Sequence, residues 1–302
     1  MILRSLGLSV VLALGLTAVA LPAAAARKTA ARGPQLRSGS MLVIDDQTDA
    51  VLLAHNAESA APIASITKLM TALVVLEAGQ PLDETLTVTG EDVEHGRGAY
   101  SRLLVGTRLT RGELMHLALM SSENRAAHAL ARNYPGGLAA CIAAMNRKAA
   151  ALGMHRTHFD DPTGLAAGNV ASPGDLARLV NAAAAHPQIR EYSTDTHQQV
   201  RVGRRLLEFR NTDTLVHDRS WDIVVQKTGY TRDAGRCLVL KARVGGRSLV
   251  MVLLDSYGKY SRFADARRIR RWLESQGALQ APASASTATP ATVPAVMAAA
   301  GS

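Results

Sequence analysis

The chain reads SITKLMTALVVLEA at residues 65–78, and this stretch determines how the segments around it are arranged. Its apolar side chains would cover nearly the whole circumference of a helix: Ile66, Leu69, Met70, Leu73, Val74, Val75 and Leu76. A helix that is apolar on every side is buried inside a domain and does not lie on its surface. The sequence therefore predicts a central helix over 65–78.

The segments on either side of this helix differ in type. Apolar runs at 41–45 and 50–55 predict a strand hairpin before it. Helical patterns follow, beginning at Thr110, Ser122, Leu138 and Ser172. Three strands and an amphipathic helix come last, at 222–226, 236–243, 247–255 and 261–276. We therefore expect an α/β fold of the α+β kind, with an antiparallel sheet built from both ends of the domain and a helical subdomain inserted between them.

Composition narrows the class of protein. Apolar residues make up 47% and charged residues 20% of the 302 residues, which excludes a chain that is disordered throughout. With 24 glycines and 2 cysteines, collagen-like and disulfide-rich scaffolds are excluded as well. The formal net charge of +9 favours an anionic partner, either nucleic acid or acidic cell-surface material.

The N-terminal segment predicts export. Arg4, the apolar run at 6–21 and the alanines at 23–26 are typical of a signal peptide over 1–26, and an uncleaved membrane anchor is the alternative. Export argues against nucleic acid as a partner. It also permits a disulfide between Cys141 and Cys237, although two isolated cysteines are expected to be small buried side chains.

Two further segments are expected to lie outside the folded domain. Residues 27–37 predict a basic linker. Residues 278–302 carry no charged side chain and predict a disordered Ala/Pro/Ser/Thr tail. This tail lacks the basic face of a membrane-surface helix, so contact with a membrane is at most peripheral. The folded domain is expected at 38–277.

Ser65 and Lys68 form a Ser-x-x-Lys motif at the start of the buried helix. Residues three apart lie on one face of a helix, with Cβ atoms roughly 5–6 Å apart, so the Lys68 amine can reach the Ser65 hydroxyl and accept its proton. A base must be uncharged, and lowering the pKa of a lysine from about 10.4 to about 7 takes roughly 4 kcal/mol. Burial, the positive end of the helix and a second cation all act in that direction.

A second motif, Ser122-Glu123-Asn124, is predicted at the head of a helix. Its hydroxyl and amide are two residues apart. The Ser122 hydroxyl could pass a proton to a leaving amine, and the Asn124 amide could hold a substrate amide.

A third motif, Lys227-Thr228-Gly229, is predicted to end a strand. Lys227 would supply the second cation, and with the Thr228 hydroxyl it could bind a carboxylate. Gly229 would leave room for a substrate to lie along the strand edge as an added strand. The backbone amides of Ser65 and Tyr230 could then form an oxyanion hole.

Each motif alone is common in proteins. Residues 256–259 contain a second Ser-x-x-Lys, which is interpreted as a strand-to-helix loop. The order of the three motifs is more specific, because Ser65, Ser122 and Lys227 each fall on the element that the proposed chemistry needs. Together they indicate nucleophilic catalysis by Ser65.

This ordered triple resembles the active-site signature of penicillin-binding proteins and class A β-lactamases, except that glutamate replaces the central aspartate of Ser-Asp-Asn. From about residue 40 to residue 277, the chain is similar to the low-molecular-mass serine D-Ala-D-Ala peptidases, and within them to the D-alanyl-D-alanine endopeptidases. The stretches that carry this similarity are SRLLVGTRL (101–109), MSSENRAA (120–127), NYPGG (133–137), DPTGL (161–165) and KTGYT (227–231).

The resemblance implies a β-lactamase/DD-peptidase-like fold and a penicillin-sensitive acyl-enzyme mechanism on peptidoglycan in the periplasm, with a role in cell-wall biogenesis and cell shape. Three residues would be catalytic: the nucleophile Ser65, the proton acceptor Lys68 and the proton relay Ser122. The substrate-binding residues would be Asn124, Lys227, Thr228, Gly229 and Tyr230. Neither a metal nor a cofactor is implied. The partners would be peptidoglycan peptides, β-lactam inhibitors and a cell-wall enzyme or scaffold.

Two relatives are weighed by what the chain lacks. A class A β-lactamase uses a glutamate to activate the deacylating water, whereas residues 158–169 contain Asp160 and Asp161 but no glutamate. Slow release of penicillin is therefore expected. The D,D-carboxypeptidases have a second β domain and an amphipathic anchor, for which few residues follow Gly229, so an endopeptidase that cuts D-Ala–diaminopimelate cross-links is preferred. The alternatives are a D,D-carboxypeptidase, a non-catalytic peptidoglycan-binding relative and a basic nucleic-acid-binding protein.

Overall fold

The structure is a computed structural model that describes residues 33–93 and 100–275. The predicted signal peptide, residues 27–32 of the predicted linker and the predicted tail lie outside these residues. Within them, no helix is both long enough and apolar enough to cross a bilayer. Arg37, the last residue of the predicted linker, donates its backbone N–H to Asp265 at 2.8 Å.

Eleven strands and seven helices are found in the described residues. The strands are β1 (Ser38–Asp45), β2 (Val51–His55), β3 (Ala61–Pro62), β4 (Thr85–Thr87), β5 (Arg108–Thr110), β6 (Val170–Ala171), β7 (His197–Val202), β8 (Arg205–Arg210), β9 (Asp222–Thr231), β10 (Gly235–Val244) and β11 (Arg247–Ser256). The helices are α1 (Thr67–Glu77), α2 (Arg111–Met120), α3 (Asn124–Arg132), α4 (Gly137–Ala151), α5 (Pro173–Ala184), α6 (Pro187–Thr194) and α7 (Ser261–Ser275).

The main sheet has five antiparallel strands in the order β2-β1-β11-β10-β9. Its strands come from both ends of the domain, which confirms the predicted topology. Gly245 and Gly246, with φ of 56° and 79°, form the tight turn between β10 and β11. Strand β9 lies at an edge of the sheet, so its outer backbone groups are not paired with another strand.

Apolar side chains form one cluster on each face of this sheet. Because side chains alternate along a strand, Leu238 and Leu240 of β10 pack with α7, while Val239 packs with the helices α1 to α6. On α7, Ile269 and Leu273 are buried, as the amphipathic pattern predicts. The helical subdomain and α7 therefore cover opposite faces of the sheet.

The predicted central helix is confirmed. A 3-10 turn at Ala64–Ile66 comes first, and α1 then runs through Thr67–Glu77. Every residue from Thr67 to Val75 is buried. The helix begins two residues later than predicted, so Ser65 lies in the turn and not in the helix.

The sequence patterns did not indicate α6 or the β7–β8 hairpin. In β7 only Val200 and Val202 are buried, and the other four residues are polar or charged. Gly203, with φ of 60°, makes the turn to β8. This hairpin forms a separate two-stranded sheet, so the short apolar runs that indicate a strand of the main core are missing from it.

Cys141 and Cys237 are free and buried. Burial raises the pKa of both thiols to about 12. The expectation of two small buried side chains is confirmed, and the disulfide is not formed.

Candidate active site

Ser65 and Lys68 are in contact. Ser65 lies in the 3-10 turn and Lys68 in the first turn of α1. The Lys68 amine donates a hydrogen bond of 2.9 Å to the Ser65 hydroxyl. Ala64, the residue before the serine, has a φ of 48°, which alanine rarely adopts. The turn that presents Ser65 is therefore held in an unfavourable backbone conformation by its surroundings.

Two glycines from distant segments pack against this turn. A Cβ on Gly164 would lie 1.9 Å from the Ala64 carbonyl oxygen. A Cβ on Gly229 would lie 2.9 Å from the Ile63 carbonyl oxygen and 3.2 Å from the Ser65 nitrogen. Only glycine permits such close backbone approach. We expected Gly229 to leave room for a substrate; in the structure the turn that carries Ser65 takes that space.

Lys68 is fully buried. Besides contacting Ser65, its amine donates to the Thr163 carbonyl oxygen at 2.7 Å and to Asn124 Oδ1 at 2.8 Å. A carbonyl oxygen and an amide oxygen can only accept hydrogen bonds, whereas a hydroxyl can accept or donate. Of these three partners, Ser65 is the one that could give Lys68 a proton.

The Ser122-Glu123-Asn124 motif contacts both buried lysines. Asn124 is the first residue of α3 and accepts from Lys68, while the Lys227 amine donates to the Ser122 hydroxyl at 2.9 Å. The prediction that Ser122 heads a helix is corrected, because it lies two residues before α3 with a φ of 61°. This left-handed turn joins the end of α2 to the beginning of α3.

Lys227 is also fully buried, in the edge strand β9. Its amine donates a second hydrogen bond of 2.9 Å to the Thr228 carbonyl oxygen. Burial lowers the pKa of Lys227 well below its usual range, the charges of Lys68 and Arg262 lower it further, and the charge of Asp213 opposes them. The two lysines therefore lie close enough for a charge on one to disfavour a charge on the other.

Strand β9 is longer than predicted. The Lys-Thr-Gly motif was expected to end it, but pairing with β10 continues to Thr231, which lies opposite Gly235. On the outer edge, the backbone N–H of Gln226 donates to the Ser193 hydroxyl at 3.5 Å. Backbone groups alternate in direction along a strand, so the Tyr230 amide points to the same outer side. The Tyr230 side chain is exposed.

Thr212 contacts the site, although no motif indicates it. Its hydroxyl oxygen lies 2.6 Å from that of Thr228. Its amide donates to the Met120 carbonyl oxygen at 3.1 Å, and its hydroxyl lies 3.4 Å from the same oxygen. Thr212 therefore connects the end of α2 to the Lys-Thr-Gly strand. A single threonine in a loop carries no sequence signal for such a position.

With this geometry in place, comparison with known proteins identifies the family. The D-alanyl-D-alanine carboxypeptidase family, peptidase family S11, matches residues 27–258. The chain belongs to peptidase family S11. It is 47% identical over 253 residues to the D-alanyl-D-alanine endopeptidase of Pseudomonas aeruginosa, covering 83% of this chain and 82% of that protein. It is 42% identical over 285 residues to the D-alanyl-D-alanine endopeptidase of Escherichia coli K12, covering 94% of this chain and 91% of that protein.

The fold of this S11 peptidase is similar to that of the Streptomyces K15 DD-transpeptidase. The TM-score is 0.75 at 26% sequence identity, over 81% of this chain and 99% of that chain. The predicted DD-peptidase-like fold class is thereby confirmed. The protein is a serine-type D-alanyl-D-alanine peptidase, a hydrolase with a role on peptidoglycan.

Glu123 takes the place of the aspartate in the Ser-Asp-Asn pattern. Its carboxylate binds the segment at 101–102 through hydrogen bonds that involve neither Lys68 nor Lys227. It accepts from the Ser101 hydroxyl at 2.7 Å and 2.9 Å and from the Arg102 amide at 2.8 Å. Glu123 is buried. It therefore fastens the segment at 101–102 to the turn that carries Ser122.

The carboxylates of the S11 peptidase's 158–169 loop are also engaged locally. Asp161 accepts from the backbone N–H groups of Gly164 at 2.7 Å and Ala166 at 2.6 Å, and Asp160 contacts His158 at 2.9 Å. This loop supplies the Thr163 carbonyl that contacts Lys68, a role that no side-chain pattern indicates. Within residues 33–93 and 100–275, no three His, Cys, Asp or Glu side chains cluster as metal ligands.

Proposed function

We propose that this S11 peptidase is exported to the periplasm, where it acts as a D-alanyl-D-alanine endopeptidase. It cleaves D-Ala–diaminopimelate cross-links of peptidoglycan through an acyl-enzyme on Ser65, is inhibited by penicillin and helps to maintain cell shape. The observation that carries this proposal is the 2.9 Å contact between the Ser65 hydroxyl and the buried Lys68 amine. The N-terminal sequence supports export, and the endopeptidase names of the similar proteins support the choice of bond.

The first step is proton transfer from Ser65 to Lys68. A neutral amine has two N–H donors and one lone pair. If the N–H groups stay on the Thr163 carbonyl and Asn124 Oδ1, the lone pair faces the Ser65 hydroxyl. Full burial favours the neutral amine, and the proximity of Lys227 disfavours a charge on both lysines at once. Lys68 can then accept the hydroxyl proton while the Ser65 oxygen attacks the D-Ala carbonyl carbon.

Negative charge then develops on the carbonyl oxygen of the substrate. The amides of Ser65 and Tyr230 are the proposed donors to this oxygen. The close approach of Gly229 to the Ser65 nitrogen supports this role, because it brings β9 against the serine turn. The Tyr230 amide points to the open edge of β9, along which a substrate strand would add.

Departure of the amine requires a proton. Ser122 is the proposed relay from the lysine pair to the leaving nitrogen, since its hydroxyl accepts from Lys227 and its motif also contacts Lys68. The carbon–nitrogen bond breaks, the acyl group stays on Ser65, and water later cleaves the ester. In this scheme Asn124 and Thr228 bind the substrate's amide and carboxylate.

Release of penicillin is proposed to be slow. A fast β-lactamase needs a carboxylate that activates water beside the acyl-enzyme. Asp161 of the 158–169 loop is hydrogen-bonded to its own loop backbone, and Asp160 pairs with His158. The long-lived penicilloyl enzyme makes penicillin an inhibitor.

A fluorescent penicillin tests the acyl-enzyme. Purified protein should acquire one covalent label, which peptide mapping places on Ser65, and Ser65→Ala should acquire none. Cross-linked muropeptide dimers should disappear in the presence of the wild-type protein. Conversion of pentapeptide to tetrapeptide with dimers intact would instead indicate the carboxypeptidase activity for which the matching family is described. Equal labelling of wild type and Ser65→Ala would refute the proposed nucleophile.

A further inference from the structure

A cavity of about 330 Å³ opens beside Ser122. Its walls include Arg102, Ser122, Glu208, Phe209 and Arg210. Ser122 is the proposed proton donor to the leaving amine, so the cavity adjoins the position at which the released half of the substrate would lie. The turn that carries Ser122, the segment at 100–102 and strand β8 form it together, and no sequence pattern predicted β8.

Both the backbone and the side chain of Arg102 are held by hydrogen bonds in this wall. Its backbone amide donates to Glu123 at 2.8 Å, and its guanidinium donates to the Glu208 carbonyl oxygen at 2.8 Å. The guanidinium also lies over the Phe209 ring, 3.8 Å from its centre. These contacts orient the planar group before any ligand binds, which lowers the entropy lost on binding.

The other charged side chains of the cavity walls are engaged by their own neighbours. Glu208 pairs with Arg210 at 2.6 Å, and Glu123 is engaged by the 101–102 segment. Across the two described ranges of the chain, no carboxylate forms an ion pair with the Arg102 guanidinium. An oriented arginine without a carboxylate partner is suited to bidentate binding of a carboxylate from a ligand.

We propose that this cavity binds the leaving peptide stem of a peptidoglycan cross-link, with Arg102 bound to a carboxylate of that stem beyond the one held at Thr228. This inference rests on the proposed endopeptidase function. When terminal D-Ala leaves, its side chain is a single methyl group, which has nothing to place in the cavity. When diaminopimelate leaves, its longer side chain continues into a second peptide that carries further carboxylates. Arg102 therefore selects cross-linked substrates over monomeric ones.

The test compares three substrates on Arg102→Gln, Arg102→Lys and wild type. The substrates are a cross-linked tetrapeptide dimer, a monomeric pentapeptide and a fluorescent penicillin. For the dimer, Arg102→Gln should lower kcat/KM about 10- to 100-fold, mainly through KM, and Arg102→Lys should lie between it and wild type. Pentapeptide cleavage and penicillin acylation have no second stem to bind and should change less than about twofold.

Arg201→Gln is the matched control. It removes an exposed arginine from β7, in the hairpin whose other strand lines the cavity, and should leave all three rates unchanged. If Arg102→Gln is poorly folded, the ratio of dimer to pentapeptide cleavage by Arg102→Lys decides. Equal losses on all three substrates, or no loss on the dimer, would overturn the subsite. A wild-type protein that accepts penicillin but leaves the dimer intact would instead refute the endopeptidase function on which the inference rests.

Discussion

Lys68 and Lys227 are both fully buried in the candidate active site, and their surroundings differ. Lys68 contacts one hydroxyl and two oxygens that can only accept, from Thr163 and Asn124. Lys227 contacts the Ser122 hydroxyl and the carbonyl of its own neighbour, Thr228. Of these three partners of Lys68, the Ser65 hydroxyl is the one with a proton to give. Lys227 donates to a hydroxyl that can pass a proton on.

The two surroundings also differ in how closely they are packed. Around Lys68, the Ser65 turn is confined by Gly164 and Gly229, whose hypothetical Cβ atoms would overlap neighbouring backbone. Around Lys227, the Ser122 turn borders the 330 Å³ cavity. Rigid packing suits the side on which the nucleophile must be aimed. Open space suits the side from which half of the substrate must leave.

Replacing each lysine by methionine separates these roles, with the largest effect expected at Lys68. Methionine is unbranched and apolar and removes the amine. Lys68→Met should lower the penicillin acylation rate constant about 10²- to 10⁴-fold, because it removes the proposed base, and leave the preceding dissociation constant nearly unchanged. Lys227→Met should weaken binding about 10- to 100-fold, because Lys227 is predicted to bind the substrate carboxylate with Thr228, and it should lower the acylation rate constant less than Lys68→Met does. Stopped-flow acylation over a range of penicillin concentrations measures both constants.

Thermal melts of both variants control for folding. If the two substitutions lowered the acylation rate constant equally and left binding unchanged, the division between a base and a binding cation would be wrong. Lys68 and Lys227 would then be two parts of a single proton path.

The contact between Ser65 and Lys68 could be predicted from sequence because its geometry is local. Ser65 and Lys68 are three residues apart, in the 3-10 turn and the first turn of α1, and that spacing brings them together. The five-stranded sheet was also predictable, because short apolar runs mark its strands and a Gly245-Gly246 turn joins β10 to β11. The placement of Lys227 near Lys68 was predicted from the order of the motifs, whereas its contact with Ser122 was not predicted.

The remainder of the site has no residue pattern that would reveal it. Thr163 acts through a backbone carbonyl, which every residue possesses. Thr212 and Asp213 lie in the loop after β8, and that hairpin was not predicted because few of its residues are buried. Glu123 was noted as a departure from the family motif, but its contact with Ser101 depends on the tertiary fold.

Asp213, whose charge acts on Lys227, makes the stability of the protein depend on pH. It is buried, and burial raises its pKa from 3.8 to about 6, against the Leu215 amide and the charges of Arg262 and Lys227. A carboxyl whose pKa is higher in the folded state contributes stability below the unfolded value, and this contribution is lost as pH rises through the folded value. Wild-type stability should therefore fall by up to about 3 kcal/mol between about pH 4 and pH 7 from this group alone.

Asp213→Asn removes that titration and keeps an oxygen for the Leu215 amide, which Asp213 binds at 2.8 Å. The difference in free energy of unfolding, variant minus wild type, should become more favourable to the variant as pH rises from about 4 to about 7. Urea unfolding at several pH values measures it. A difference that stays constant with pH would mean that Asp213 titrates alike in the folded and unfolded chains.

Substitution of Thr212, which contacts Thr228 next to Lys227, is expected to have the smallest effect. A hydroxyl has one proton, so if Thr228 donates its proton to a substrate carboxylate, the Thr212 proton must turn toward Thr228 and away from the Met120 carbonyl. Thr212→Val removes this donor at nearly constant volume, and Thr212→Ser keeps it. We expect Thr212→Val to raise KM for pentapeptide about 3- to 10-fold with little change in kcat, and Thr212→Ser to restore it.

This result would separate positioning from packing. If Thr212 only filled space, serine, which lacks the methyl group, would perturb the site more than valine does. If it holds the Thr228 hydroxyl in the donating orientation, valine would be the more harmful substitution, and its effect would vanish on a substrate whose carboxylate is amidated. An equal rise in KM on acid and amide substrates would place Thr212 outside carboxylate binding, and the Lys227 side would then bind its substrate without a positioned threonine.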